Sequence, residues 1–399
     1  MKKIKWIRLS EIAELITKGT TPTTLGYKFQ DEGVKFLKIE SFDENGSFIE
    51  NKVAHISEEC HKKLKRSQLR TGDILFSIAG AIGRVAIVSE EMLPANTNQA
   101  LAIIRIVNEQ IYLPYIKLIL ASPVVTKQFE KKKQGVAQLN LSLKDINEIS
   151  IPLPEKERQM ELVELFDKIS SVILKQNMEL TALDTLIKAR FVEMFGDPVH
   201  NPYGWNKTEL KELADLKIGP FGSLLHKEDY IEGGHALVNP SHIVDGRIII
   251  DSKLTVSEDK YEELSAYHLK VGDVVMGRRG EMGRCAVVEE EGLLCGTGSL
   301  LIRPKGKVTA DYIQKIISYP TFKKTIEDMA VGQTMPNLNV PIVSGFRIIT
   351  PPIEVQNSYY DFVAQVNKSK VVYQIIINKL TFLQKICYNN YKEQYYIPG

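Results

Sequence analysis

The chain has 399 residues, 44% of them hydrophobic and 25% charged, with 26 glycines and 17 prolines; this is ordinary globular composition, long enough for two sizeable cores and too long for one small binding module. No run approaches the roughly 18 apolar residues that a spanning helix needs, and the basic start Met1-Lys2-Lys3-Ile4-Lys5 leads to Trp6 and Arg8 and not to an apolar signal core, so a cytoplasmic protein with no membrane partner is expected. The net charge of +2 divides into +5 for residues 1–154 (22 Lys/Arg against 17 Asp/Glu), −2 for 155–195 (6 against 8), −3 for 196–352 (18 against 21) and +2 for 353–399 (5 against 3), which leaves any nucleic-acid affinity to local clusters.

Residues 1–154 carry short β-branched runs, Val34 to Ile39, Ile74 to Ile78, Val85 to Val88 and Leu101 to Val107, broken by Gly, Asn and Asp turns, with one short helix expected near Tyr112 to Phe129. This predicts a compact α+β domain. Behind Pro152 and Pro154 a long helix is expected over 155–195, with Glu155 and Glu157 suited to its N-terminal dipole. Its apolar residues keep heptad time: Phe166, Ile173, Leu180, Ile187 and Met194 are seven apart, beside Leu162, Ile169, Gln176, Leu183 and Arg190.

At residue 196 the chain starts again. Gly72 to Val88 aligns without gaps, at an offset of 200, with Gly272 to Val288, and 7 of the 17 positions are identical. Flanking segments keep the same order: Trp6 and Ile12 to Leu15 match Trp205 and Leu213 to Leu216, and Leu139-Asn140-Leu141 matches Leu338-Asn339-Val340. The chain therefore reads as a tandem duplication, with a second domain over 196–352. A second long helix over 353–399 has its seam at Val366, Tyr373, Leu380 and Cys387, beside Phe362, Ser369, Ile376, Leu383 and Asn390. Two helices with one apolar stripe each most simply bury those stripes against one another. An antiparallel pair suits the chain order, and forty helical residues span about 60 Å.

Residues able to do chemistry are scarce. There is no phosphate-cradling Gly-x4-Gly-Lys-Ser/Thr loop and no dinucleotide fingerprint. The four cysteines form no Cys-x-x-Cys pair and the seven histidines no zinc spacing, so buried reduced thiols and no metal are expected. Thr350-Pro351-Pro352-Ile353 marks the start of the second long helix, and His200, His226, His235 and His242 lack a companion nucleophile. Two similar domains on a spacer suit bipartite recognition of double-stranded DNA. Candidate contacts are the glycine-hinged loop Lys18-Gly19-Thr20-Thr21 with its counterpart ending in Gly222 and Ser223, and the basic clusters Lys62-Lys63 with Lys65-Arg66, Lys131-Lys132-Lys133, and Arg278-Arg279 with Arg284, together with the aligned Arg84. The copies differ most at Ser77-Ile78-Ala79 against Gly277-Arg278-Arg279, as two different half-sites would demand.

The ordered set of motifs, namely Gly-Asp-Ile-Leu with Gly-x-x-Gly-Arg-Val-Ala in the first copy, its counterpart in the second, Phe191 to Pro198 closing the first helix and Asn201-Pro202-Tyr203-Gly204-Trp205 opening the second copy, resembles the specificity subunit of type I restriction-modification systems over essentially the whole chain. The resemblance implies an α+β chain with two tandem α/β target-recognition domains (1–154 and 196–352). These would be separated by two long α-helices packed as an antiparallel coiled coil, with pseudo-two-fold symmetry. It implies a subunit without catalysis or bound cofactor that directs adenine-N6 methylation or cleavage. Its partners would be two methyltransferase (M) subunits using S-adenosylmethionine and two restriction (R) subunits using ATP and Mg. The alternatives are the specificity subunit of a fused type II restriction-methylation enzyme and a homodimeric scaffold whose seams pair between chains.

Overall fold

The computed structural model describes residues 4–130, 140–330 and 337–389. The chain forms two compact units, one holding the described residues up to Met178 together with those from Gln374, the other Glu179–Tyr373.

In the first unit a four-stranded antiparallel sheet has the order Leu15–Lys18, Leu101–Arg105, Ile74–Ser77, Val85–Ile87. Its inner strands Leu101–Arg105 and Ile74–Ser77 read as nearly unbroken apolar runs because both faces are covered, whereas the edge strand Leu15–Lys18 is part-exposed. Ile74, Phe76, Ala102 and Ile104 point into one core with Tyr115, Ile116 and Ile119, while Leu75, Ala86, Leu101 and Ile103 point into another with Leu37, Phe42 and Met92. A second sheet pairs Val34–Leu37 antiparallel with Ala54–Ile56 and parallel with Ala95–Thr97. The single helix expected near Tyr112 to Phe129 is two, Leu113–Leu120 and Pro123–Glu130. Pro123 cannot continue the first, since it lacks an N–H and disfavours helical backbone at Ser122; the Ser122 hydroxyl donates to Ile119 O (2.6 Å) and accepts from Val124 N (3.2 Å) at the break.

The second unit repeats the plan. Its four-stranded sheet runs Ala214–Ile218, Ser299–Pro304, Val274–Gly277, Cys285–Val287, the same order with the same pairing sense. His235–Val238 again pairs parallel with the strand that follows the sheet hairpin, Leu294–Cys295.

The repeated Gly-Asp has a structural task. Asp73 is 1% exposed and takes a two-pronged bond from Arg105 (Nε to Oδ1 2.7 Å, Nη2 to Oδ2 2.7 Å), while its Oδ2 also accepts from Arg70 N (2.8 Å). Asp273 repeats this with Arg303 (2.8 and 2.6 Å) and Lys270 N (2.7 Å). Each carboxylate thus ties the turn before the third strand of its sheet to the neighbouring strand, and the fork meets the carboxylate in its preferred planar geometry.

Lys156–Phe195 and Ile353–Asn389 are single long helices. Each is pinned to its own domain by a buried glutamine in the first turn. Gln159 accepts from Tyr112 N (2.9 Å) and donates to Pro154 O (2.8 Å); Gln356 accepts from Thr309 N (3.1 Å) and donates to Pro351 O (2.9 Å). In the first unit Phe166 packs on Tyr388 (ring centroids 4.7 Å apart) and Gln384 Nε2 donates to Ser170 Oγ (3.2 Å). In the second, Lys370 pairs with Asp184 (2.6 Å) and the Tyr359 hydroxyl donates to Ile187 O (3.3 Å). Partner numbers fall as helix numbers rise, which is antiparallel packing in each unit. Phe166 and Val366 are buried, and Ile173, Leu180, Ile187, Tyr373 and Leu380 are half-buried, as a two-helix seam requires. In the companion row of the second helix Phe362 and Ile376 are half-buried as the heptad predicts, whereas Ser369 and Leu383 are exposed and their neighbours Lys370 and Gln384 are half-buried instead. At Lys370 and Gln384 the seam advances four residues and not three, because 3.6 residues per turn lets either neighbour face the partner. Asn390 lies outside the described residues.

Two outcomes follow from this packing. Asp73→Ala strands Arg105, whose side chain is 12% exposed, and should cost about 3–5 kcal/mol, read as a lowered urea midpoint; Asp273→Ala should cost less, because Arg303 is 34% exposed and rehydrates. Equal losses would contradict burial as the cause. Leu380→Asp should destabilise by about 2–3 kcal/mol by pushing a carboxylate into the seam, whereas Leu383→Asp should stay within about 0.5 kcal/mol; the reverse ranking would restore the row through Leu383.

Candidate nucleic-acid interface

In the first unit the sheet register puts Lys18 opposite Ala102, Ser77 opposite Leu101 and Phe76 opposite Val85, so the loops after Lys18, after Ser77 and before Leu101 emerge at one end of the sheet. Backbone bonds hold them together: Thr20 N donates to Thr97 O (3.1 Å) and Ile78 N to Ala100 O (2.9 Å), and the Thr21 hydroxyl donates to Gln99 Oε1 (2.6 Å). The helix Glu58–Lys63 and the turn Lys65–Ser67 join this end. Arg66 Nη2 donates to Thr17 Oγ1 (3.3 Å), and the buried Asn96 amide donates to Leu64 O and Ser67 Oγ (3.0 Å each). The structure therefore sets the segment that carries Lys62 and Lys63 beside the strand that ends in Lys18 and leads to Thr20 and Thr21, and the three lysines are exposed. It was the tertiary contact through Arg66, absent from the local pattern, that joined the two segments.

Gly19 lies at the same place but is buried, and its reason is internal. A Cβ there would sit 2.0 Å from Thr97 O and 2.3 Å from Asn98 O; at Gly219 it would sit 2.0 Å from Gly296 O. Both glycines let the end of the first strand cross closely over the neighbouring loop, and this packing by itself requires glycine at position 19.

The second unit gathers the loops after Ile218, after Gly277 and before Ser299 at the equivalent end. Gly222 is exposed, with φ +64 and open space around it, and shares the short turn Gly222–Leu224 with Ser223. Next to them Phe221 is 63% exposed, a contact group that the emphasis on polar and basic residues passed over. The arginines divide. Arg278 donates through Nε to Leu338 O (2.8 Å), and burial holds its guanidinium below its ordinary range. Arg284 donates to Pro240 O (3.1 Å) and pairs with Glu281 (2.9 Å), and the aligned Arg84 donates to Phe42 O (3.2 Å). All three are engaged within the fold, and the shared Gly-Arg makes the same inward bond in each copy. Arg279 is exposed and has no hydrogen bond or ion pair among the described residues. Lys131-Lys132-Lys133 lie outside the described residues.

The candidate chemistry elsewhere is occupied. His235 pairs with Glu258 (2.9 Å) and stacks on Tyr261, and His242 is buried against Leu237 O (2.8 Å). Burial pushes the Cys285 and Cys295 thiols up to about 12, which keeps them protonated and unreactive near neutrality. Among the described residues no helix is long and apolar enough to cross a membrane, and no three His, Cys, Asp or Glu side chains converge as a metal site.

Comparison with known proteins places this geometry. A family model described as "Type I restriction modification DNA specificity domain" matches twice, over residues 1–182 and 202–381. The type I restriction enzyme EcoBI specificity subunit of Escherichia coli is 32% identical over 170 residues, 41% of this chain and 35% of that protein. The MjaVIII specificity subunit of Methanocaldococcus jannaschii is 20% identical over 248 residues, 57% of this chain and 58% of that one. The chain thus spans about a third of the first relative and under two thirds of the second. Two solved structures share the fold along nearly the whole chain. One, described as "Structural basis underlying complex assembly and conformational transition of the type I R-M system", has a TM-score of 0.69 at 17% identity, covering 98% of both chains. The other, the HsdS subunit from Thermoanaerobacter tengcongensis, has a TM-score of 0.54 at 18% identity, covering 99% of this chain and 98% of that one. Since the family model covers both copies of the duplicated domain, the chain belongs to the type I restriction-modification DNA specificity family.

Proposed function

We propose that this chain is the sequence-reading subunit of a type I restriction-modification complex. It reads a bipartite, asymmetric site in double-stranded DNA, with one half-site for each recognition domain (1–154 and 196–352). The observation that carries this reading is one sheet plan built twice, with three loops gathered at the same sheet end in each copy and different side chains on those loops: Ile78-Ala79 against Arg278-Arg279, and Thr21 against Phe221. A shared scaffold with divergent loops is how one fold reads two different sequences.

In this reading the chain performs no bond chemistry and holds no cofactor. Methylation of adenine N6 with S-adenosylmethionine, which requires the base to leave the stack, belongs to two M subunits, and ATP- and Mg-dependent cleavage to two R subunits. Lys18, Lys62 and Lys63 supply phosphate contacts, Thr20, Thr21, Gly222 and Ser223 line the loops that approach the duplex, and Arg279 is the base-reading candidate, since a free guanidinium can fork onto guanine O6 and N7. Against a homodimeric scaffold stands the burial of each helix seam against the other helix of the same chain.

Genome-wide mapping of methylated adenines with and without this chain tests the function: a bipartite motif that vanishes on deletion is expected, and an unchanged methylation pattern would overturn the reading. Exchanging residues 1–154 for another recognition domain should change one half of that motif only; a change in both halves would contradict independent reading. Arg279→Ala should relax base preference in the half-site of the second domain, at a cost of about 1–3 kcal/mol, and leave the other half-site intact.

A further inference from the structure

The two copies build the same helix and turn at Ser57–Ser67 and Ser257–Tyr267 and dress them with opposite charge. The backbones correspond residue for residue. Ser57 Oγ accepts from Cys60 N (3.2 Å) and Ser257 Oγ from Lys260 N (3.3 Å); the helices are Glu58–Lys63 and Glu258–Glu263, each closed by a buried leucine, Leu64 or Leu264, and followed by a single 3-10 turn. On that frame the exposed Lys62, Lys63, Lys65 and Arg66 of the first copy are Glu262, Glu263, Ser265 and Ala266 in the second, also exposed. With Glu58 and Glu59 counted, the first segment carries four cations against two anions; the second carries Glu258, Asp259, Glu262 and Glu263 against Lys260. The net charges are +2 and −3.

The segment occupies the same place against the loop end in each unit. In the first, Arg66 reaches Thr17, the residue before Lys18 (3.3 Å); in the second, Lys217 Nζ lies 4.7 Å from the centre of the Tyr267 ring. The charge difference is therefore presented beside the same loop: Lys217 of the strand leading into it is turned onto an aromatic face, and Lys260, the one cation of the acidic segment, is paired with Glu263 (3.0 Å).

We propose that the grip on the DNA backbone is asymmetric. The first domain clamps phosphates through Lys18, Lys62, Lys63, Lys65 and Arg66, and the second engages its half-site with no clamp at the corresponding face, where Glu262 and Glu263 repel the backbone. This rests on the reading of the chain as a DNA-recognition subunit and deepens it. Its physical content is the salt dependence: each neutralised phosphate contributes about −0.9 to the slope of log affinity against log salt. Charges within a Debye length, about 8 Å at physiological salt, act on the same stretch of duplex.

The test uses the full chain assembled with its methyltransferase partner and a duplex carrying the methylation-mapped site, with affinity measured between about 50 and 200 mM salt. Replacing Lys62, Lys63, Lys65 and Arg66 together by Gln should flatten the slope by up to about 3.6 while preserving base preference in both half-sites. Glu262→Lys with Glu263→Lys should steepen it by up to about 2 and raise affinity for unrelated duplex. The second variant gains charge on an exposed helix face, so it reads out even if the fourfold variant folds poorly. Sequence preference retained with neither slope changed would overturn the asymmetric grip and leave the DNA-reading function standing. Absence of any sequence preference in the unaltered complex would overturn both.

Discussion

A buried carboxylate held by an arginine fork fixes the centre of each unit. Asp73 and Asp273 are almost fully buried, and such a charge is tolerable only when its oxygens are fully engaged. The fork meets that demand from the adjacent strand, and a backbone N–H from the preceding turn completes it. The turn, the third strand in the sheet order and its neighbour are consequently locked in one register, and the loops at the far end of those strands inherit their positions from it. That is why loops of quite different sequence can be mounted in the two copies without disturbing the frame beneath them.

The same economy shows in the arginine of the shared Gly-x-x-Gly-Arg. Its place beside the divergent loop suggests a ligand contact, yet Arg84 and Arg284 both turn inward onto carbonyls of the short turn that follows the second-sheet strand. A residue repeated in both copies serves what the copies have in common, and what they have in common is the scaffold. The groups that differ, Lys62 and Lys63 against Glu262 and Glu263, Thr21 against Phe221 and Ala79 against Arg279, are all at least partly exposed around the same sheet end. Internal duplication thus acts as a built-in control: identity marks packing, and divergence falls on the segments that the proposed function assigns to DNA.

The long helices tie the units together along the chain in a way that linear boundaries do not express. Each helix is pinned by a glutamine to the domain preceding it, but its later half packs in the other compact unit. A compact unit here is therefore assembled from segments remote in sequence, and the outer part of the second helix completes the first unit through Tyr388 and Gln384.

Much of the fold was legible in the sequence. The duplication, the strands around Ile74, Val85 and Leu101, the start of the long helices behind their prolines and the seam through Phe166 and Val366 all rest on local periodicity and turn chemistry, which act within one element and leave a trace there. Where local pattern was silent, the deciding force came from elsewhere in the chain. Gly19 answers to the carbonyl of Thr97, Arg278 to that of Leu338, and Leu383 turns to solvent while its neighbour Gln384 meets Ser170 of the partner helix. The placing of the segment that carries Lys62 and Lys63 beside the strand that ends in Lys18 likewise needed the contact of Arg66 with Thr17 across 49 residues. The sequence by itself determined that one domain is built twice and joined by two amphipathic helices, because periodicity is a local property. Only the tertiary structure decided which cations brace the protein and which remain free for a ligand, because that depends on whether a distant carbonyl or carboxylate lies within hydrogen-bond reach.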